Sequence, residues 1–372
     1  MPNLIVSTCG TSLLTNNNDT CTLSPELRKL FTKHANLQNA ADCPSNERLP
    51  IDNHLRQRTS DVKQANDAEL AKLSAEMNAI FKFYDGKTTP QDMHILIHTD
   101  TWLGRETGNL LREVLSQRGF SVDTPTISDL RTQDLDSFQL ALSELVKWAV
   151  ETLPAYQQQQ YKVIFNLTGG FKSIQGFMQT LAMLYADETV YIFESNKELL
   201  RLPRLPVRLD GEQIVRDHLA VLRPLALGLP VSRDAVDALP ETLVLRLDDD
   251  RALSPWGELL WQQHKTAIYG AGLHAAPSTK IHFTDTFQRS IAGLSPDRYE
   301  RLNQQIDKLA QYLHSQRATN LKSLDVKALH VPRHGGCTHE FDAWHDQNAK
   351  RVFGWLKGDT FTCEILENGV GH

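Results

Sequence analysis

Asn166-Leu167-Thr168-Gly169-Gly170-Phe171-Lys172-Ser173 is the stretch on which the fold of this chain turns. It follows an apolar, β-rich run at 162–166 and opens a helical pattern over 174–185. A strand, a glycine turn and a helix in that order make the βα unit of a parallel sheet. The same order recurs at the start, where Ser7-Thr8-Cys9-Gly10-Thr11-Ser12 follows a strand-like run at 3–7. Further β-rich runs lie at 94–98 and 189–193. Between them stand the helical series Leu70, Leu73, Met77, Ile80, Phe81, then Leu110, Leu111, Val114, Leu115, then Leu135, Phe138, Leu142, Leu145, Val146, Ala149. Apolar strands separated by amphipathic helices predict an α/β fold with a mostly parallel sheet covered on both faces across residues 1–200. Residues 34–66 are polar and weakly periodic, and they read as an insertion or flexible segment.

Charge narrows the function. The 39 basic and 45 acidic residues of this 372-residue chain give a net charge of −6, which excludes a broad cationic surface for coating nucleic acid. The imbalance is uneven: residues 276–372 hold 12 basic and 11 acidic side chains, so the acidity sits in residues 1–275. Seven of the 14 histidines fall in that near-neutral tail, which directs the search for proton-transfer chemistry there. Five scattered cysteines without a CxxC pair read as reduced thiols rather than a zinc cluster. Met1-Pro2-Asn3 leads straight into a strand-like run and no apolar stretch reaches membrane-spanning length, so the expectation is a cytoplasmic protein with no membrane partner.

Both glycine loops sit where open α/β sheets bind ligands, at the carboxyl ends of their strands. Glycine permits close backbone approach, free N–H groups and hydroxyls suit phosphate or ribose oxygens, and a helix N-terminus favours an anion. Lys172 adds a positive charge. Neither loop is a P-loop, because Phe171 separates Gly170 from Lys172, and GxGxxG is absent. Two tight turns that need glycine and nothing more would leave the same trace.

The pair VSTCGTS and NLTGGFKS resembles the two signature loops of CARF domains, the CRISPR-associated Rossmann-fold sensors, over roughly residues 1–200. The resemblance implies a homodimer whose paired loops cradle a cyclic oligoadenylate on the two-fold axis, most commonly cyclic tetra-adenylate. It implies ligand contacts at Thr8, Cys9, Gly10, Thr11, Ser12, Thr168, Gly169, Gly170, Lys172 and Ser173, with Asp100 and Thr101 as weaker contributors. Some relatives with a serine in the first loop and a lysine in the second slowly cleave their activator, and Ser12 and Lys172 match that arrangement.

From residue 201 the pattern changes. Helical stretches at 211–222 and 232–239, strands at 242–247 and 252–254 and a turn at Asp248-Asp249-Asp250 give the order of a winged helix. Arg233 stands among Asp234, Asp237 and Glu241 on the second helix, the wrong balance for phosphate contact, so residues 201–275 read as a connector. Gly270, Gly272 and Pro277 look like a linker. After it come a strand at 280–283, a helix with the face Tyr299, Leu302, Ile306, Leu309, Leu313, and strands at 338–344, 351–356 and 360–366. Lys357-Gly358-Asp359 makes a hairpin turn between the last two. Residues 276–372 therefore read as a small α+β domain with an antiparallel sheet.

That order resembles the RelE toxin fold of ribosome-dependent mRNA endonucleases. The pieces that carry it are Leu321-Lys322-Ser323-Leu324, Lys350-Arg351-Val352-Phe353 and the final Gly369-Val370-Gly371-His372. The strand that holds catalytic lysines in several relatives here reads His339-Glu340-Phe341-Asp342-Ala343-Trp344, without lysine. The resemblance implies a homodimeric, cyclic-oligoadenylate-activated mRNA interferase of type III CRISPR defence, acting on mRNA in the ribosomal A site and needing no metal or cofactor. In such chemistry a base removes the ribose 2′-OH proton, the oxygen attacks the adjacent phosphorus, cations hold the phosphorane and an acid protonates the leaving 5′-oxygen. Arg351 and Arg333 are the expected phosphate ligands, His339 the base or acid, and Lys350, His345 and His372 supporting groups. Two alternatives stay open. Arg333 and His339 fit the R-x4–6-H pattern of HEPN ribonucleases, which act on free RNA, although Pro332, Gly335 and Gly336 oppose the helix that motif needs. The sensor and winged helix alone would make a ligand-responsive transcription regulator. HEFDAWH lacks the HExxH spacing of a zinc site.

Overall fold

The computed structural model describes residues 1–17, 22–87, 89, 91–193, 198–206, 210–247, 250–318 and 320–368. Cys21, the Asp248-Asp249 turn and His372 lie outside the described residues. The chain forms two compact units, 1–209 and 210–372.

The first unit runs β1 (Asn3–Thr8), α1 (Ser12–Thr15), α2 (Pro25–Lys33), α3 (Ser45–Gln64), α4 (Asp67–Leu73), α5 (Ala75–Tyr84), β2 (Met93–Ile97), α6 (Trp102–Gln117), β3 (Ser121–Asp123), α7 (Leu135–Gln158), β4 (Lys162–Asn166), α8 (Lys172–Tyr185), β5 (Glu188–Ile192) and β6 (Leu199–Pro203). Its sheet has the order β3-β2-β1-β4-β5-β6, parallel except for β6. Leu4, Ile5 and Val6 of β1 are all buried, so helices cover both faces and the strand reads as continuously apolar. Chain order runs outward from β1 through β2 to β3 on one side and from β4 to β5 on the other. The switch point falls between β1 and β4.

Residues 34–66 are not a flexible insertion. They contain the 20-residue helix α3, whose buried stripe is Ile51, His54, Arg58 and Val62. Two of those four are polar, which hides the helical period from a reading based on apolar spacing. They are buried because they have partners: His54 Nε2 lies 2.8 Å from the Leu14 carbonyl and Arg58 Nη2 donates to the Asn16 carbonyl at 2.7 Å. Both carbonyls lie at the C-terminal end of α1, where orphan acceptors need such donors.

The second unit runs α9 (Glu212–Asp217), α10 (Leu219–Ala226), α11 (Arg233–Asp237), β7 (Val244–Leu247), β8 (Asp250–Leu253), α12 (Pro255–Gly270), β9 (Ile281–Phe283), α13 (Asp285–Ser290), α14 (Pro296–His314), β10 (Lys327–Arg333), β11 (Cys337–Trp344), β12 (Lys350–Lys357) and β13 (Thr360–Asn368). Strands β7 and β8 form a two-stranded antiparallel hairpin. The larger sheet has the order β10-β11-β12-β13-β9 and is mixed rather than wholly antiparallel, because β9 pairs in parallel with β13. Sequence pattern marks a strand and leaves the direction of a three-residue edge strand open. Leu302, Ile306, Leu309 and Leu313 of α14 pack on Phe341, Ala343, Val352 and Phe361 to make the core.

Residues 270–279 are tied down rather than a free linker. His274 donates its amide to Asn303, and its ring reaches the Ile268 carbonyl at 2.7 Å. Arg223, 1% exposed, crosses residue 275 to join the two expected parts: its Nε lies 2.7 Å from Asp307, and it donates to the carbonyls of Ala275 and Asn303. Asp307 also accepts from Tyr269 at 2.6 Å.

Candidate functional site

The loops after β1 and β4 meet at the switch point. Thr8 Oγ1 donates to the Gly169 carbonyl at 2.7 Å. A Cβ on Gly10 would stand 3.2 Å from the Gly170 carbonyl oxygen. Gly170 has φ +97°, and a Cβ there would lie 2.7 Å from Cβ of Thr8. Glycine is therefore demanded by loop-to-loop contact as well as by the turn.

Beneath both loops sits Glu76, fully buried in the first turn of α5. Its Oε1 accepts the Gly10 amide at 2.7 Å, and its Oε2 accepts from Ser74 at 2.6 Å and Ser12 at 3.3 Å. A Cβ on Gly169 would collide with the same carboxylate. Among the described residues no lysine, arginine or histidine pairs with it; neutral donors alone solvate the charge. Sequence reading passed over Glu76 and Ser74, because a serine cap followed by a glutamate is an ordinary helix start.

The expected contacts divide. Lys172 and Ser173 are exposed at the N-terminus of α8, where Phe171 as N-cap offers no side-chain hydrogen bond, so a full-length helix presents its first amides to solvent. Gly10, Thr11, Ser12 and Gly170 are half-buried around them. Other residues are already engaged within the fold. The Thr8 hydroxyl is spent on Gly169, and the Thr168 hydroxyl accepts the Ile192 amide at 3.2 Å. Cys9 is a core residue whose thiol burial, with Glu76 nearby, pushes well above its usual value. Asp100 holds Arg105, Gln38 and the Asp129 amide, and Thr101 caps α6.

Residues 71–205 match the family described as CRISPR-associated protein (Cas_APE2256). Over that segment the chain is similar to a CRISPR-associated family. The segment includes Glu76, β4 and the second loop; β1 and the first loop precede it. No curated protein matches the chain. Among the described residues no helix is long and apolar enough to cross a membrane.

In the second unit the described tail residues do not converge on one point. Arg351 on β12 is opposite Asp342 on β11, and His339 is opposite Gly354. The two-residue alternation of β11 puts His339 on the opposite face from Asp342, and hence from Arg351. Arg351 is also already engaged: Nη2 reaches Asp325 at 2.9 Å, Nη1 reaches Asp342 at 3.1 Å, and Nε stands 3.2 Å from Glu340 without hydrogen-bond alignment. Lys327 adds a second cation, 3.2 Å from Asp325 and 3.7 Å from Glu340. Burial raises Asp325, but hydrogen bonds from Arg351 and Lys327 bring its carboxyl below the usual range. Burial pushes Asp342 up. Glu340 is 4% exposed and its Oε2 has no partner. This carboxylate was overlooked because it stands in the middle of a strand, next to the histidine that drew attention.

Arg333 ends β10 and pairs with Cys337 across the turn His334-Gly335-Gly336, whose φ values are +45°, +78° and +97°. Arg333 and His339 thus sit on two strands of a hairpin, not on the helix a HEPN motif requires. His339 bonds Thr338 at 2.9 Å, and burial, with Arg317 nearby, lowers its pKa. Lys350 begins β12 opposite Trp344, and His345 is exposed just beyond β11.

Proposed function

We propose that the first unit senses a cyclic oligoadenylate, cyclic tetra-adenylate above all, and that the second is a metal-independent endoribonuclease of RelE type that cuts mRNA on the ribosome. The observation that carries this reading is the junction of the two glycine loops at the β1/β4 switch point, bordered by an uncapped helix N-terminus and Lys172. Amides, hydroxyls and one cation at the carboxyl edge of a parallel sheet suit a ligand made of phosphates and ribose. Similarity to a CRISPR-associated family over residues 71–205 supports a signal nucleotide of that system. A homodimer would bring two such loop pairs around one ring.

For the ribonuclease, the face that carries Glu340, Asp342 and Arg351 supplies the needed groups. Once RNA entry uncovers the buried Oε2 of Glu340, that oxygen takes the 2′-OH proton, and Arg351 with Lys327 steadies the phosphorane as the 2′-oxygen attacks phosphorus. An entering phosphate displaces Asp342, whose carboxyl burial already raises. His345, Arg333, Lys350 and His372 are left to proton return and RNA contact, and His339 serves the opposite face. The Arg333–His339 hairpin gives the HEPN alternative no support.

The test is cleavage of free and ribosome-bound mRNA with and without cyclic tetra-adenylate, with Glu340→Gln and His339→Ala beside the parent. Activator-dependent cutting confined to ribosome-bound mRNA and lost in Glu340→Gln is expected. Efficient cutting of free RNA, or full activity in Glu340→Gln, overturns the assignment. Linear fragments of the activator after incubation would add slow ring cleavage by Ser12 and Lys172.

A further inference from the structure

Arg301, Gln304, Gln305 and Lys308 recur on α14 at spacings of three and four, so they form one stripe along the helix beside its apolar face. Opposite them stand Ser323, the Ala343–Trp344 end of β11 and the two residues after it, His345 and Asp346, and together they enclose a cleft of about 340 Å³. That is the lower end of the range for small-ligand sites, a size suited to one nucleotide unit rather than a large cofactor.

The cleft is short of negative charge. Lys308 is half-buried, burial lowers its pKa, and its Nζ has Ser323 Oγ as a partner at 3.2 Å. No carboxylate reaches Lys308 among the described residues. A partly desolvated ammonium without a counter-ion is stabilised by any anion that enters. Asp346 is the acidic residue of the lining, and it is shared between Arg298 at 2.7 Å and Arg301 at 3.0 Å. Arg298 also stands 3.6 Å from Asp297, so those two guanidinium groups are matched by two carboxylates and Lys308 is the cation of the lining without one. His345 is exposed at the rim.

We propose that this cleft binds a phosphate of an RNA strand, with Lys308 and Arg301 as its ligands. The proposal rests on the ribonuclease reading for the identity of the strand. Position links the two: Ser323 lines the cleft, while Asp325, two residues on, holds Arg351 on the other face of the sheet. An RNA strand passing round the 321–325 loop meets both, so the cleft anchors the nucleotide beside the one that is cut.

The experiment measures affinity of the full-length protein for a 2′-O-methyl RNA tetranucleotide, which cannot be cleaved, across a salt series. The parent is compared with Lys308→Ala, Lys308→Arg and Arg301→Ala, with melting temperatures alongside. Expected is a loss of roughly tenfold in Lys308→Ala, a salt slope smaller by about 1, and substantial retention in Lys308→Arg. Parent-like affinity in Lys308→Ala overturns the proposal even if activator-dependent cleavage is found. Loss of affinity in Lys308→Ala without any RNA cleavage by the parent keeps the cleft as an RNA site and removes the ribonuclease reading. Competition by inorganic phosphate with no oligonucleotide binding would make it a free-anion site and also overturn the proposal.

Discussion

Gly10 donates its amide to Glu76 at 2.7 Å, so the first glycine loop rests on a fully buried carboxylate from a different helix. That bond ties the loop after β1 to the start of α5, and the carboxylate that makes it also walls in Gly169 of the second loop. Removing the charge tests the tie. In Glu76→Gln the amide oxygen can keep Gly10 while the serine hydroxyls rotate to accept its NH2, so the expected loss of stability is about 1 kcal/mol. In Glu76→Leu the Gly10 amide and two hydroxyls lose their acceptor, and about 2–3 kcal/mol is lost. Urea denaturation orders the two variants. Calorimetric titration with cyclic tetra-adenylate should then show affinity falling in the same order.

Gly170 in the second loop and Gly176 within α8 give opposite expectations. Alanine at Gly170 must adopt φ +97° and bring its Cβ within 2.7 Å of Thr8. Gly170→Ala should cost more than about 1 kcal/mol and weaken ligand binding by forcing the loops apart. Gly176 lies exposed inside α8, and a Cβ there meets nothing within 4 Å. Gly176→Ala should raise stability by about 0.5–1 kcal/mol and leave binding unchanged. Thermal melts with and without ligand check both.

Arg351 holds three carboxylates, and its side chain is 13% exposed. Replacing it with alanine leaves Asp325, Glu340 and Asp342 with Lys327 as their remaining cation, so about 3–5 kcal/mol should be lost at neutral pH. Asp325 titrates below its unfolded value in the parent, so its contribution is present at neutral pH and is lost as pH falls through the carboxylate range. The deficit of Arg351→Ala should therefore shrink on acidification, and an equal deficit at neutral and acid pH would show that packing rather than charge sets the loss.

These residues also mark what the sequence disclosed. The parallel strands and both glycine loops were legible, because a strand buried on two faces is apolar throughout and a tight βα turn needs glycine. Helix α3 was not, since His54 and Arg58 stand where apolar residues would betray its buried stripe. Helix α12 was overlooked behind the hairpin, although Ser254 caps it and Pro255 opens it. Glu76 and Glu340 were hidden for a common reason. A buried carboxylate is recognised by the donors and cations that fold around it, and those come from distant segments. Strand alternation could have been used to place His339 and Arg351 on opposite faces, once their register was known.

His94 supplies a pH test independent of any ligand. It lies fully buried on β2, with Nε2 3.1 Å from the Tyr84 hydroxyl. Tyr84 is also 3.0 Å from Asp92, and when it donates there, Nε2 must carry the proton and Nδ1 is left as a buried acceptor without a partner. Burial lowers the His94 pKa to about 3, far below an unfolded histidine near 6.5. The unfolded chain therefore binds this proton first as pH falls. Stability is complete above about pH 6.5 and declines toward pH 3 by about 1.4 kcal/mol per pH unit from this group alone. His94→Phe keeps the ring volume and removes the titration, so its stability should fall less steeply across that window. Urea midpoints taken between pH 7 and pH 4 measure the difference, and parallel pH profiles for parent and variant would show that other groups drive the acid loss.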